Sequence, residues 1–347
     1  MEFYVLDNSR QLVGIMDYSN SSIWTPRYND VGDFELQIPA SSEVFDMMKE
    51  EYYVTRLDDD MIGIIERVLL TSEEETGSFV LVSGRDAKCI LERRIVWTQT
   101  NLSGTVEDCI RRLIIENIIS PTDSIRAIPN FILGERKGFT EKMEMQVTGD
   151  NLLELITKIC KAYGMGFKVT FVDGQFVFDL YKGIDRSYRQ TTNPRVSFSP
   201  EFDNVIRMEY ESNQTNLKNV ALVAGEGEGL ERKTTTVGAA SGLSRRELYV
   251  DARDISSNEG EIEDSIYMSL LAERGNEILV EHAALTLFSG EIEPSINYAY
   301  KQDYFVGDII QITNEYGITT ASRVSEIIEC EDNNGYSITP TFEEINE

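Results

Sequence analysis

The sequence predicts an α+β chain, mainly β: two related β-barrel domains, an α+β domain between them, and a helical insertion in the second barrel. Three observations carry this. A hairpin pattern beginning near Met61 returns near Ile309; two stretches of helical period precede an Asp-Gly hairpin in the middle of the chain; a further helical stretch is enclosed by strands. The boundaries that follow are 1–96 for the first barrel, 97–190 for the α+β domain, 191–237 together with 285–347 for the second barrel, and 238–284 for the insertion.

In the first hairpin Ile62, Ile64, Val68 and Leu70 form one apolar run. Glu73, Glu74, Glu75, Thr76 and Gly77 form a charged turn, and Phe79 to Val82 return. The later segment has Arg323-Val324, Ile327, Ile328, an acidic tip from Glu329 to Asn334, then Gly335 and Tyr336. Arg67-Val68 precedes Gly77 by ten residues counted from the arginine, Arg323-Val324 precedes Gly335 by twelve, and an aromatic follows each glycine. This order of features fits a degenerate internal duplication, although unrelated hairpins share such features too.

Before the first hairpin, short apolar runs (Phe3 to Leu6, Leu12 to Met16, Ser22 to Trp24) alternate with turn signals. Phe34, Leu36 and Ile38 then share one face of a strand bounded by Gly32 and Pro39. In the middle, Val106, Ile110, Leu113, Ile114 and Asn117 follow helical spacing behind a Thr105/Asp108 cap, and Pro121 marks the end. A second helix runs from Asp150 as N-cap through Leu152, Ile156, Ile159, Cys160 and Tyr163 to Gly164. Its apolar stripe is covered by strands Gly166 to Phe171 and Gln175 to Tyr181, joined through Val172-Asp173-Gly174. Thr191 to Pro194 reads as a linker, Val205 to Tyr210 and Val220 to Ala224 as strands, and Gly238 to Gly242 as a small-residue loop. Ser256 with Glu259 reads as a capping box for a helix carrying Ile262, Ile266, Leu270, Leu271, Ile278 and Leu279.

At 347 residues, 41% hydrophobic and 10% aromatic, the chain has a globular composition with material for two or three domains. A formal charge of −28 repels phosphate and argues against duplex binding as the main task. Cys89, Cys109, Cys160 and Cys330 form no Cys-x-x-Cys pair and sit among apolar neighbours, as reduced core thiols do. No apolar run approaches the ~20 residues of a membrane span and no leader is evident, so a cytosolic origin is expected.

Residues for chemistry are sparse. His282 is the only histidine, which rules out multi-histidine metal sites; following Glu281 at a helix end, it fits a dipole-favoured surface residue. Gly225-Glu226-Gly227-Glu228-Gly229 lacks a Gly-Lys-Ser/Thr ending and reads as a mobile hairpin or bulge. Asp58-Asp59-Asp60 and Glu73-Glu74-Glu75 leave a two-carboxylate glycosidase open, but such runs are usually solvated tips, and neither has calcium-loop spacing. No catalytic, cofactor-binding or metal-ligating residue is assigned, and no cofactor is expected.

Several stretches together resemble one family. They are Ile23-Trp24-Thr25-Pro26-Arg27-Tyr28 with Gly32 to Leu36, Ser83-Gly84-Arg85-Asp86, Arg93-Arg94-Ile95-Val96, and Ala272-Glu273-Arg274-Gly275. Asp303-Tyr304, Val306-Gly307-Asp308-Ile309 and Thr339-Pro340-Thr341-Phe342 complete the set. Their order over almost the whole chain is similar to siphophage tail-hub proteins, which are baseplate-hub-like virion components.

The resemblance implies a structural, non-enzymatic protein. It would form a homotrimer whose two hub barrels per subunit adapt the six-fold distal tail protein ring to a three-fold tail tip. Implied partners are that ring, the tape-measure protein and a tail-tip or receptor-binding protein, with DNA only in transit through the channel and no membrane span. The implied place is the virion tail tip after assembly in the host cytoplasm; separately, the charge of −28 raises the hypothesis that acid lines the lumen and keeps DNA from sticking, the alternative being that it serves only solubility. Many members carry a C-terminal enzymatic or receptor-binding extension; this chain stops at Glu347, so those tasks would fall to another protein. The alternatives are an acidic β-rich glycosidase or cell-wall hydrolase, and the hub of a contractile phage-derived injection particle. Both hairpins and the strand Asp33 to Pro39 are the expected ring-building elements.

Overall fold

The structure, a computed structural model, describes residues 1–73, 77–293 and 296–345. Alternating apolar residues build the first half: β1 (Phe3–Leu6), β2 (Leu12–Met16), β3 (Ser21–Thr25), β4 (Asp33–Pro39), α1 (Ser42–Met47), β5 (Tyr53–Thr55), and the long hairpin β6 (Ile62–Glu73) and β7 (Gly77–Asp86). Phe34, Leu36 and Ile38 point from β4 into a core with Phe3, Val5, Trp24, Val80 and Val82. The acidic turn at Glu74 to Thr76 lies outside the described residues.

The middle segment contains β8 (Thr100–Thr105), α2 (Val106–Ile114), β9 (Phe131–Leu133), β10 (Lys142–Val147), α3 (Leu152–Ala162), β11 (Gly166–Val172) and β12 (Gln175–Tyr181). Thr105 caps α2 by accepting from the Asp108 amide, as expected. The cap of α3 is Asn151 rather than Asp150: its side chain accepts from Leu153 and Glu154, while Asp150 turns back to the Thr148 amide. The β11–β12 turn has Asp173 and Gly174 both at positive φ, 49° and 80°, the conformation that an Asp-Gly pair favours.

The last segment holds β13 (Ser197–Phe198), β14 (Val205–Asn213), β15 (Val220–Ala224), β16 (Thr234–Val237), β17 (Glu247–Asp251), α4 (Asp264–Glu281), β18 (Leu285–Ile292), β19 (Ile309–Thr313), β20 (Thr319–Asp332) and β21 (Gly335–Glu344). Strands β15 to β17 form their own three-stranded sheet under α4, with a separate core that includes Val223, Tyr267 and Leu271. Ser256 is not the cap of α4, which begins at Asp264; the Ser256 hydroxyl accepts from Asn258 and Ile262 lies before the helix.

Two closed barrels do not form among the described residues. A single sheet runs β14-β18-β21-β20-β3-β4-β7-β6-β5-β1-β2, with β19 and β13 branching from β20. The reason lies at β3: its second neighbour is β20 of the other half, so β14 and β2 are left as ends.

The halves nonetheless repeat. The order β3-β4-β7-β6-β5 is matched by β14-β18-β21-β20-β19. Each long hairpin carries a bulge, between Ile65 and Arg67 in one and between Val324 and Glu326 in the other. Glu66 to Glu73 and Ser325 to Asp332 are eight residues each, so bulge and tip align together. Following cross-strand partners outward makes Phe34 equivalent to Phe288 and Ile38 to Ile292, all four buried, and Trp24 equivalent to Tyr210. Both aromatic pairs persist, Trp24–Phe34 at 5.7 Å and Tyr210–Phe288 at 4.9 Å. This alignment places Arg67 opposite Glu326, so Arg67-Val68 and Arg323-Val324 are not equivalent, although Gly77 and Gly335 are.

Candidate functional site

The site begins where β3 lies on the tip half of β20, with Trp24 opposite Glu329, Ile23 opposite Cys330 and Ser22 opposite Glu331. Beyond β3 the chain turns under Pro26, whose carbonyl accepts from Ile327, and the Tyr28 amide donates to Ser325. Arg27 fixes this turn: its guanidinium donates to the Val31 carbonyl at 2.7 Å and pairs with Asp33 of β4 and Glu326 of β20.

Beside this junction is a buried charge cluster. Glu329, 1% exposed, receives Arg56 at 3.2 Å, Lys301 at 3.0 Å and the Tyr336 hydroxyl at 2.7 Å. Lys301 also holds Asp59 at 2.7 Å, Arg56 holds Asp58 at 2.6 Å, and Lys168 holds Asp60 at 2.7 Å. Of the Asp58-Asp59-Asp60 run only Asp59 is drawn inside; Asp58 and Asp60 stay exposed, as a solvated tip does, although each carboxylate has a cation beside it. Burial opposes ionisation of Asp58, yet the Arg56 hydrogen bond and charge bring its carboxyl below the usual range. Burial, reinforced by Asp59 and Glu329, pushes the Tyr300 phenol well above its usual value, and burial with Glu329 does the same at Tyr336.

The middle segment docks through Tyr28. Its ring packs edge-on to Tyr181 at 5.2 Å, its hydroxyl donates to the Gly164 carbonyl at 3.0 Å, and the Arg323 guanidinium lies 4.8 Å from the ring centre. Nearby, buried Lys88 donates to the Arg27 and Asp30 carbonyls and pairs with Asp86, which accepts from the Gly32 and Lys88 amides.

Between these parts lies a cleft of about 600 Å³, lined among others by Leu57, Asp59, Lys168, Tyr181, Tyr300 and Phe305. A two-carboxylate hydrolase needs one carboxyl held protonated. In this cleft Asp58 is shifted the opposite way, and Asp86, which burial does raise, is taken up by backbone amides and Lys88. No group of three metal-ligating side chains occurs among the described residues, and no described helix is long and apolar enough to cross a membrane.

The remaining candidates have structural places. His282 ends α4, its Nδ1 2.9 Å from the Ile278 carbonyl. Gly225 to Gly229 forms the β15–β16 hairpin, closed by Gly225–Lys233 and Lys233–Glu226 backbone bonds. Cys89, Cys109 and Cys160 are buried, whereas Cys330 is only partly so; all four are free thiols. The strand Asp33 to Pro39, expected as a ring-building element, is interior, paired on both sides with β3 and β7.

What sequence reasoning missed are the open edges. Among the described residues strand β14 pairs only with β18, β2 only with β1, and the tip half of β6 only with β7. Leu12, Ile15, Leu69, Leu70, Ile206 and Tyr210 are exposed along them. An apolar residue on an unpaired strand is the signal that marks such an edge, and it needs the strand order to be seen.

The fold is shared with solved tail proteins. The tail protein from Neisseria meningitidis MC58 is 14% identical over 99% of this chain and 96% of that one, with a TM-score of 0.60. The 43 kDa tail protein of prophage MuSo2 from Shewanella oneidensis gives 14% identity, 99% and 98% coverage and a TM-score of 0.61. Prophage tail protein gp18 from Listeria monocytogenes EGD-e gives 13%, 98% and 94%, and 0.55. No curated protein matches the chain. A repeated sheet with open edges, in the fold of these proteins, defines the class as a phage tail structural protein. Within it, the chain belongs to the Siphovirus ReqiPepy6 Gp37-like family, matched over residues 2–342.

Proposed function

We propose that this chain is the subunit of a homotrimeric tail hub that closes the tail tube at the virion tip. It adapts the six-fold distal tail ring to a three-fold tip and leaves a channel for DNA. The observation that carries this is the repeat of one strand neighbourhood in both halves of a single sheet. Three such chains present six near-equivalent units, which is what a joint between six-fold and three-fold rings requires. The partners are the distal tail ring on one face, the tape-measure protein in the lumen and a tail-tip or receptor-binding protein beyond, joined in the host cytoplasm.

In this reading the domains are residues 1–96, 97–190, and a second ring unit split around an insertion. We place that insertion at about 214–284, wider than 238–284, because β15 and β16 pair within the α4 unit and not with the large sheet. The test is solution mass by light scattering over a concentration series, with electron micrographs of the same fractions. A trimer enclosing a channel is expected; a dimer or an open filament overturns the hub.

A further inference from the structure

The repeat makes a specific statement about contacts between chains, resting on the self-assembling hub above. In the first half, β3 is seated on the tip half of β20. Among the described residues its counterpart in the second half, β14, has no such neighbour, and the counterpart of the β20 tip half, in β6, has no strand seated on it. One occupied junction and its two vacant complements thus exist in every chain.

Exposure follows this division. Trp24 on β3 is 0% exposed, whereas its equivalent Tyr210 on β14 is 42% exposed. On the other side Glu329 of β20 is buried, whereas its equivalent Leu70 on β6 is 48% exposed, with Leu69 beside it also open. Large side chains stand exposed on both open edges, Tyr210 and Leu70, at the positions that the occupied junction buries as Trp24 and Glu329.

Charge agrees as well. Within the chain, Arg27 at the end of β3 pairs with Glu326 of β20. Arg67, the β6 equivalent of Glu326, is exposed and has no ion pair among the described residues. The strand that would lie opposite, β14, carries Glu209 and Glu211, both exposed. Carrying the register across puts Asn213 opposite Arg67 and Glu211 one diagonal step away, while Glu209 pairs with Arg207 of its own strand, so an opposite charge stands near Arg67 without copying the Arg27 position.

We propose that β14 of one protomer adds antiparallel to the tip half of β6 in the next protomer, reproducing the β3–β20 junction between chains. Carrying the observed register across gives Leu70 opposite Tyr210, Thr71 opposite Glu209 and Ser72 opposite Met208. The contact is head-to-tail, so it does not end at a dimer, and in the trimeric hub proposed above three repeats of it close the ring. The occupant of both edges is a second copy of this chain.

The test uses two full-length variants, Thr71→Cys and Glu209→Cys, mixed and oxidised mildly, then run on a denaturing gel without reductant. In one chain these positions lie on β6 and β14, seven places apart in sheet order and not paired with each other, and a disulfide between two molecules is read directly by its dimer mass. A crosslinked dimer in the mixture and none in either variant alone is expected, and the double variant should give a ladder ending at the trimer. Arg67→Glu should abolish the ladder in that double variant, and adding Glu211→Arg should restore it. A trimer by mass whose cysteines stay reduced overturns this pairing and leaves the hub standing; a monomer at every concentration overturns both.

Discussion

Replacing Glu277 by glutamine isolates a charge that the fold holds at a cost. Glu277 lies on α4 one turn from Glu273 and one turn from Glu281, on the side that meets α3. Glu273 accepts from the Tyr163 hydroxyl at 2.6 Å and Glu281 pairs with Lys158 at 3.5 Å, but the Glu277 Oε1 is buried with no hydrogen-bond partner. Burial, with Glu273 and Glu281 adding to it against the opposing pull of Arg274 and Lys158, pushes its carboxyl up from 4.5 to about 7.

An acid with a raised folded pKa is neutral and without penalty below its unfolded value. The penalty then grows as pH rises through the folded pKa, and is complete above it. At about 1.4 kcal/mol per unit, the shift from 4.5 to about 7 sets an upper bound of about 3 kcal/mol. Glu277→Gln keeps the shape and removes the charge. Its gain in stability should be near zero at pH 4.5 and reach about 1 to 3 kcal/mol by pH 8. Hydrogen exchange of α3 and α4, compared between variant and parent at each pH, reads this as a protection ratio near one in acid. At pH 8 the ratio should be roughly 5- to 150-fold. An equal gain at both pH values, or a loss at pH 8, refutes the reasoning.

Two further outcomes follow from the junction. Glu329→Ala removes the carboxylate shared by Arg56, Lys301 and Tyr336 and leaves a buried guanidinium without it; the loss, read by denaturant unfolding, should be about 3 to 5 kcal/mol. Gly307→Ala puts a methyl group 2.5 Å from the Tyr28 ring at a residue whose φ is +98°, so crowding and backbone strain add. A fall of about 1 to 3 kcal/mol should appear in thermal unfolding, with loosened exchange at Gly164 and Gly166.

Much of the fold was legible because it is local. The Phe34, Leu36, Ile38 alternation, the Thr105 cap and the Asp173-Gly174 turn are each settled within a few neighbouring residues. The α3 cap slipped by one position because Asp150 and Asn151 both serve as caps and only the backbone decides between them. Barrel closure failed as an expectation for a different reason: alternation tells which face of a strand is buried, not which strand lies beside it. The charge cluster was invisible on the same ground, since Arg56 and Glu329 stand 273 residues apart. The repeat itself was visible, but its register was not. Arg67-Val68 and Arg323-Val324 look alike, yet the bulges shift one against the other.

The seating of β3 on β20 also fixes an order of events in folding. Arg27 and Glu326 are 299 residues apart, so the first half emerges from the ribosome long before the strand that shelters Trp24 exists. Its helices and hairpins can form at once, but this edge stays wet until the C-terminal hairpin is made. A chain cut short before Thr319 therefore keeps Trp24 on an unsatisfied rim. The first junction is thus completed only by strands made almost three hundred residues after it.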